Sequence, residues 1–309
     1  MLGPLLFCLY INDVKDHLPD NIFHLIYADD LQVYFQVSPE SVTLAIETLS
    51  LITRKVSDWA DSVSLRLNHS KSKVIFFGSS TFVDRLNRLN YPGIDMGNGI
   101  IIPFEKEVKS LGVILDSKLT WESHITSIEK KVNRVLYTLR FIRHCTTETL
   151  RTRLVQALVT PHLDYCNTVY LDANKELKGR LQRLSNSGLR YIFGIRKDMH
   201  ITPYRQKLGW LCNDTRRLYF EAILLYKILR LGQPQYLVNL FVKYSPKSNA
   251  RGQLKTKELS LPGLKECSAQ SFQFHGTVFW NSIPSKIRFL PSLNNFKKEI
   301  FKYLLSLDP

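Results

Sequence analysis

Phe23-His24-Leu25-Ile26-Tyr27-Ala28-Asp29-Asp30-Leu31-Gln32-Val33-Tyr34-Phe35-Gln36-Val37 decides how the front of this chain folds. Two apolar runs, 23–28 and 31–37, flank one pair of carboxylates. The second run alternates, with Leu31, Val33, Phe35 and Val37 on one face and Gln32, Tyr34 and Gln36 on the other, the period of a half-buried strand. The stretch predicts a β-hairpin with Asp29 and Asp30 between the strands. Two-residue hairpin turns favour Asn-Gly-like pairs, whose backbone tolerates positive φ, and adjacent carboxylates repel each other. A divalent cation at the tip would offset that repulsion. An ordinary polar hairpin tip is the other reading of the pair taken alone.

Working outward, 5–11 (Leu5-Leu6-Phe7-Cys8-Leu9-Tyr10-Ile11) predicts a short buried helix. No basic residue precedes it and Asn12-Asp13 follows in place of a small-residue cleavage site, so it is not a signal peptide. It is also too short to span a bilayer. Pro19-Asp20-Asn21 marks a turn. Ser38 and Pro39 open a helix expected to run to about Ala60. Strands are predicted at 74–77, ended by Gly78, and at 109–115. The front third is therefore mixed α/β.

From Trp121 the pattern becomes helical. Trp121, Ile125, Ile128, Val132, Val135, Leu139 and Ile142 recur at spacings of four and three, one apolar stripe over several turns. Further helices are predicted at 147–159, before Pro161; at 175–193, closed by Gly194; at 214–231, before Gly232 and Pro234; and at 293–305. Residues 243–265, rich in Lys and Ser, read as a loop or weak strand region. There is no internal repeat.

Composition is that of a folded protein, 44% hydrophobic and 22% charged. The five cysteines form no CxxC pair, which argues against a disulfide framework or a zinc ribbon and fits a reducing compartment. His162 and Cys166 stand one helical turn apart and, with no further ligand nearby, read as a buried pair in preference to a metal site. Charge is distributed unevenly. Residues 1–125 hold 11 basic and 15 acidic side chains (net −4), leaving 31 basic and 12 acidic (net +19) behind them. A strongly basic back suits a polyanion, nucleic acid first and an acidic membrane surface second; a solvated basic face is the plainer alternative.

The ordered series of segments is more specific than any one of them. Leu2-Gly3-Pro4-Leu5-Leu6-Phe7 and Tyr10-Ile11-Asn12-Asp13 precede Tyr27-Ala28-Asp29-Asp30. Leu67-Asn68-His69-Ser70-Lys71-Ser72-Lys73, then Lys109-Ser110-Leu111-Gly112-Val113-Ile114-Leu115-Asp116 with Leu119-Thr120-Trp121, follow it. The series resembles the reverse transcriptases of non-LTR retrotransposons, the jockey-like group in particular. Leu181-Gln182-Arg183-Leu184, Trp210-Leu211, Pro234-Gln235-Tyr236-Leu237 and Phe279-Trp280-Asn281-Ser282-Ile283-Pro284 extend the likeness over nearly the whole chain.

The resemblance implies an α+β fold, a partial right-hand polymerase: a palm remnant with the β-hairpin in 1–120, a mostly helical thumb in 121–212 and a C-terminal helical region with a basic loop in 213–309. It implies RNA-directed DNA synthesis by two-metal phosphoryl transfer with Mg2+ or Mn2+, on an RNA template and DNA primer duplex. Asp29 matches the metal-binding aspartate, Asp30 its neighbour, and Tyr27 and Ala28 residues under the primer terminus. Lys71 matches a lysine that protonates the leaving pyrophosphate, or is one lysine of a basic loop. Lys130, Lys131, Arg134, Arg140, Arg143, Lys178, Arg180, Arg183 and Arg190 are candidates for phosphate contacts. Tyr137 is a possible stacking residue; Tyr191 and Trp210 read as core.

The family's other catalytic aspartate, its Gln-Gly-Ser, the basic fingers residues and the endonuclease domain all lie upstream of its Leu-Gly-Pro segment, and this sequence contains none of them. Carboxylates from two strands are needed to bridge metals about 4 Å apart, so the chain alone is expected to be inactive. The expected location is intracellular, nuclear or cytoplasmic, without a membrane partner. A non-catalytic basic module binding RNA or DNA, and a helical scaffold for an acidic protein, are the competing readings.

Overall fold

The computed structural model describes residues 2–20, 22–97, 99–243, 258–263 and 271–308. The chain divides into two compact units, Met1–Thr120 and Trp121–Pro309. The first mixes helices with small sheets and the second is helical, an α+β chain.

In the first unit, α1 (Gly3–Tyr10) leads through a 3-10 turn (Asn12–His17) to a hairpin of β1 (Phe23–Tyr27) and β2 (Asp30–Tyr34). Then come α2 (Val42–Ser62), β3 (Val74–Ile75), α3 (Ser80–Leu89), β4 (Ile94–Asp95), β5 (Ile101–Ile102), β6 (Phe104–Glu105), β7 (Glu107–Ser110) and β8 (Val113–Asp116). The strands pair only two by two: β3 runs parallel to β6, and β4–β5 and β7–β8 are antiparallel. A lone hairpin is marginal in water and needs a packed face. Here α2 supplies it: Ile52, Val56, Trp59 and Ala60 form a core with Ile11, Val14, Leu18 and Ile22, onto which Ile26, Leu31, Val33 and Phe35 pack.

Several sequence expectations shift in this unit. α1 is not buried; no residue in it is. It is apolar all round, but one core can cover only one side of it. Phe7 reaches that core, while Leu2, Leu5, Leu6 and Leu9 stay exposed. The helix after the hairpin starts at Val42, because Ser38 to Ser41 close a turn first (Ser41 N–H to Ser38 O, 3.0 Å). The strand expected at 74–77 is two residues long. The strand expected at 109–115 is a hairpin, broken by Leu111 (φ 45°) and Gly112 (φ 86°), a pair of positive-φ positions that a type I′ turn requires. The helix α3 was not expected; its start is capped by the Ser79 hydroxyl, which accepts from Phe82 N–H.

The second unit contains α4 (Glu122–Phe141), α5 (Glu148–Leu158), α6 (Thr160–Asp164), α7 (Lys175–Phe193), α8 (Thr202–Lys207), α9 (Asn213–Leu231), α10 (Gln235–Val238), α11 (Phe272–Ser282), α12 (Ser285–Arg288) and α13 (Leu293–Leu307). Side-chain caps fix the starts: Thr147, Asn174 and Ser271 accept from the third residue beyond them. Gly194 and Gly232, both left-handed, close α7 and α9. α4 packs along α7, and α7 packs on α9. α9 then joins α11 and α13 around Leu225, Tyr226, Trp280, Phe296 and Ile300. α11 comes so close to α9 that a Cβ on Gly276 would lie 3.1 Å from Leu225 Cδ2. The loop expected at 243–265 falls largely on residues outside those described; within it, Lys243 bridges Leu259.

A polar contact joins α9 to α11 beside this core. Glu221 of α9 is fully buried, and His275 Nδ1 of α11 lies 2.7 Å from its Oε1. The carboxylate raises the His275 pKa above its ordinary 6.5, against burial and Lys178. The folded state therefore favours protonated His275. That stabilisation is complete below the unfolded value and is lost as pH rises through the raised native one. The melting temperature is expected to fall as pH is raised from about 6 to about 8, and His275→Gln to flatten that slope. A wild-type slope that survives in the variant would refute the assignment.

Candidate functional site

The hairpin places the two carboxylates differently from each other. Tyr27 pairs with Asp30, so the two-residue loop is Ala28-Asp29 and Asp30 belongs to β2. This corrects an Asp29-Asp30 tip by one residue. Ala28 has φ 51° while Asp29 does not have positive φ, the pattern in which type II′ turns put glycine first. An alanine there is strained. Directly paired residues share a face, so Asp30, Tyr27, Leu25, Gln32, Phe23 and Tyr34 lie on the side away from α2. Tyr27, Asp29 and Asp30 are all exposed.

On that face Gln32 Nε2 donates to Ser110 Oγ at 2.7 Å, and Tyr34 OH donates to Gln32 Oε1. The first bond ties the aspartate hairpin to β7, and the second steadies the Gln32 amide. Sequence reading placed Gln32 on the polar face without finding its partner, which lies 78 positions away. Lys71 sits exposed in a turn held by Asn68, whose carbonyl and side-chain oxygens accept its N–H at 3.0 and 3.2 Å. Asp116 at the end of β8 accepts from Thr120 N–H and Oγ1, and so caps its own loop. Among the described residues, no cluster of three or more His, Cys, Asp or Glu could hold a metal. Asp29 and Asp30 are the groups here that could contribute oxygen ligands to one.

In the helical unit the nine expected phosphate-contacting cations divide. Arg180 is held by Glu129 (Nε to Oε1, 2.9 Å), by Glu122 and by Thr126 (2.8 Å), and the two glutamates raise its pKa further. Arg143 Nε donates to Tyr191 O at 3.1 Å, and Arg190 to the carbonyls of Arg196 and Met199. Lys130, Lys131, Arg134, Arg140 and Arg183 are exposed and Lys178 half-buried. Lys131 is near enough to His124 and His162 to depress both pKa values, although burial is the larger cause.

α4 explains the exposure of its own cations. Its buried stripe is Ile125, Ile128, Val132, Leu136 and Leu139. Leu136 takes the place expected for Val135, and Ile142 lies beyond the helix end and is exposed. Of the aromatic candidates, Tyr191 is buried, Trp210 half-buried and Tyr137 exposed. Phe141 was missed, although it stands four residues after Tyr137 and opposite the apolar stripe, a signal legible in the sequence. His162 is half-buried in α6, while Cys166 follows that helix with φ 51°. No helix in the described residues is long and apolar enough to cross a membrane.

Residues 1–115 match the family described as reverse transcriptase (RNA-dependent DNA polymerase). The RNA-directed DNA polymerase from mobile element jockey of Drosophila melanogaster is 26% identical over 241 residues, 72% of this chain and 25% of that protein. The probable RNA-directed DNA polymerase from transposon X-element of the same species is 27% identical over 203 residues, 63% of this chain and 21% of that protein. The jockey polymerase of Drosophila funebris is 24% identical over 237 residues, again 72% and 25%. The chain thus spans about a quarter of the length of the curated relatives it matches. No solved structure matches it.

The strain at Ala28 is open to measurement. Ala28→Gly is expected to stabilise the chain by about 0.5–1 kcal/mol, since glycine accepts this φ freely. Ala28→Val is expected to destabilise it, because a β-branched side chain is disfavoured there. Urea denaturation of the three proteins checks both, and a destabilised glycine variant would count against the turn geometry.

Proposed function

We propose, from the premise that residues 1–115 belong to the reverse transcriptase family and that the chain is related to the polymerases of jockey and X-element, that the first unit is the carboxylate-bearing edge of a polymerase palm. The observation that carries this reading is the hairpin inside the matched segment, with Asp29 at its tip and Asp30 beside Tyr27. The reaction is RNA-directed DNA synthesis. Mg2+ or Mn2+, when bound, would activate the primer hydroxyl and steady charge on the α-phosphate. Asp29 would supply an oxygen ligand and Asp30 shape the local field. Tyr27 and Ala28 would support the primer end, and Lys71 would pass a proton to pyrophosphate.

Two ions about 4 Å apart need carboxylates from more than one strand, and Asp29 and Asp30 come from one hairpin. The 309-residue chain supplied alone should therefore not extend a primer. A primer-extension assay with either cation tests this, and template-dependent synthesis by the purified chain would overturn it. A chimera tests the palm assignment: residues 1–115 replace the matching segment of the jockey polymerase. It should extend a primer, and Asp29→Asn in the chimera should abolish extension while leaving the protein folded.

The second unit carries a second reading, favoured by the exposed cations of α4. It is a thumb-like helical region, within 121–212, that binds the phosphate backbone of template and primer without regard to sequence. Log affinity should fall linearly with log salt at about 0.7–0.9 per phosphate neutralised. Replacing Arg134 or Lys130 with Ala should lower that slope by about one each. Arg180→Ala should act mainly on stability, through Glu122 and Glu129. Equal slopes in all variants, or no binding at low salt, would remove this reading.

A further inference from the structure

We propose that the outer face of α4 is a base-stacking site for single-stranded nucleic acid, formed by Tyr137 and Phe141 and flanked by Lys130 and Arg134. This rests on the nucleic-acid reading above and adds the strand form and the contact that recognises it. The helix geometry makes the site. At 3.6 residues per turn, positions 130, 134, 137 and 141 fall within one narrow stripe. It lies opposite the stripe of Ile125, Ile128, Val132 and Leu139 that enters the core.

The two rings have little cover. Tyr137 is 61% exposed and Phe141 62%, although large aromatics contribute most when buried. They touch each other edge to face, with centroids 4.9 Å apart and planes at 86°. Each therefore holds the other in place and leaves π surface open. The cations beside them are available: among the described residues neither Lys130 nor Arg134 forms a side-chain hydrogen bond or ion pair. No acidic residue occurs from Lys130 to Thr147.

That combination selects its partner chemically. An apolar protein surface would have to desolvate the flanking cations without neutralising them. A duplex would satisfy the cations but offers no base face to the rings. A single strand offers phosphates to Lys130 and Arg134 and unstacked bases to Tyr137 and Phe141, the pairing of charge and aromatic platform seen in single-strand binders.

The test uses the full chain and fluorescence anisotropy with three labelled probes of equal phosphate count: an oligothymidylate, its abasic counterpart and a duplex. Wild type should bind the oligothymidylate about tenfold or more tighter than the abasic strand, from roughly 1–3 kcal/mol per stacked base. The double variant Tyr137→Ala/Phe141→Ala should lose that difference while keeping abasic and duplex affinity and the salt slope. Tyr137→Trp should retain it, which separates stacking from a folding defect. Equal binding of base-bearing and abasic strands by wild type would overturn the stacking site and leave the electrostatic reading standing. Failure of all three probes at low salt would remove both. Displacement by polyglutamate as effective as by oligothymidylate would point to an acidic protein partner and also overturn the proposal.

Discussion

Everything basic about the second unit depends on the seam between α4 and α7. Once Ile125, Val132, Leu136 and Leu139 are committed to that seam, rotation about the α4 axis is fixed and every other side chain on the helix has an assigned side. Arg180 on α7 falls at the flank of the seam, where Glu122, Glu129 and Thr126 of α4 meet it. Half-buried charge there must be paired or it costs several kcal/mol. The cations on the far side carry no such obligation. The net +19 of residues 126–309 therefore overstates what a polyanion would meet: Arg143, Arg180 and Arg190 are already used to hold helix ends and neighbouring helices together.

In the first unit the corresponding constraint is the single covered face of the hairpin. α2 offers apolar surface to Ile26, Leu31, Val33 and Phe35. Because strand side chains alternate, this sends Tyr27 and Asp30 outward together with Phe23 and Leu25. A register slip of one residue would reverse both sets. The carboxylates are thus exposed by packing beneath them, and Gln32 on the outward face is used to anchor the hairpin to β7.

Local signals were legible and long-range ones were not. The ends of α7 and α9 could be read because Asn174, Gly194 and Gly232 act through their own backbone neighbours. The hairpin could be read from alternation, but not its turn. Ala28 carries positive φ, an unfavourable choice for alanine, and as an apolar residue it counts with the first strand, which leaves the two aspartates as the loop. Val135 is placed on the stripe in error for Leu136, because either completes a three-four spacing. Gln32 with Ser110 and Glu221 with His275 were beyond reach, since nothing local announces a partner dozens of residues away.

The C-terminal segments read from the sequence serve packing in the structure. In Phe279-Trp280-Asn281-Ser282-Ile283-Pro284, Trp280, Asn281 and Ile283 each have a structural task. Trp280 and Ile283 are buried in the core. Asn281 accepts from the N–H groups of Glu258 and Leu259 at 3.0 and 3.1 Å and donates to Leu259 O. Trp280 Nε1 and Arg230 both donate to the Glu258 carboxylate, at 3.1 and 2.8 Å. A half-buried carboxylate with that many donors is a clamp: removing one costs a charge-assisted hydrogen bond beside the core. A substitution in such a place carries a cost to the fold. On the open stripe of α4 that cost is absent, because neither Tyr137 nor Phe141 supports the core. Tyr137 and Phe141 are thus free to meet a ligand, whereas Trp280 is committed to the fold.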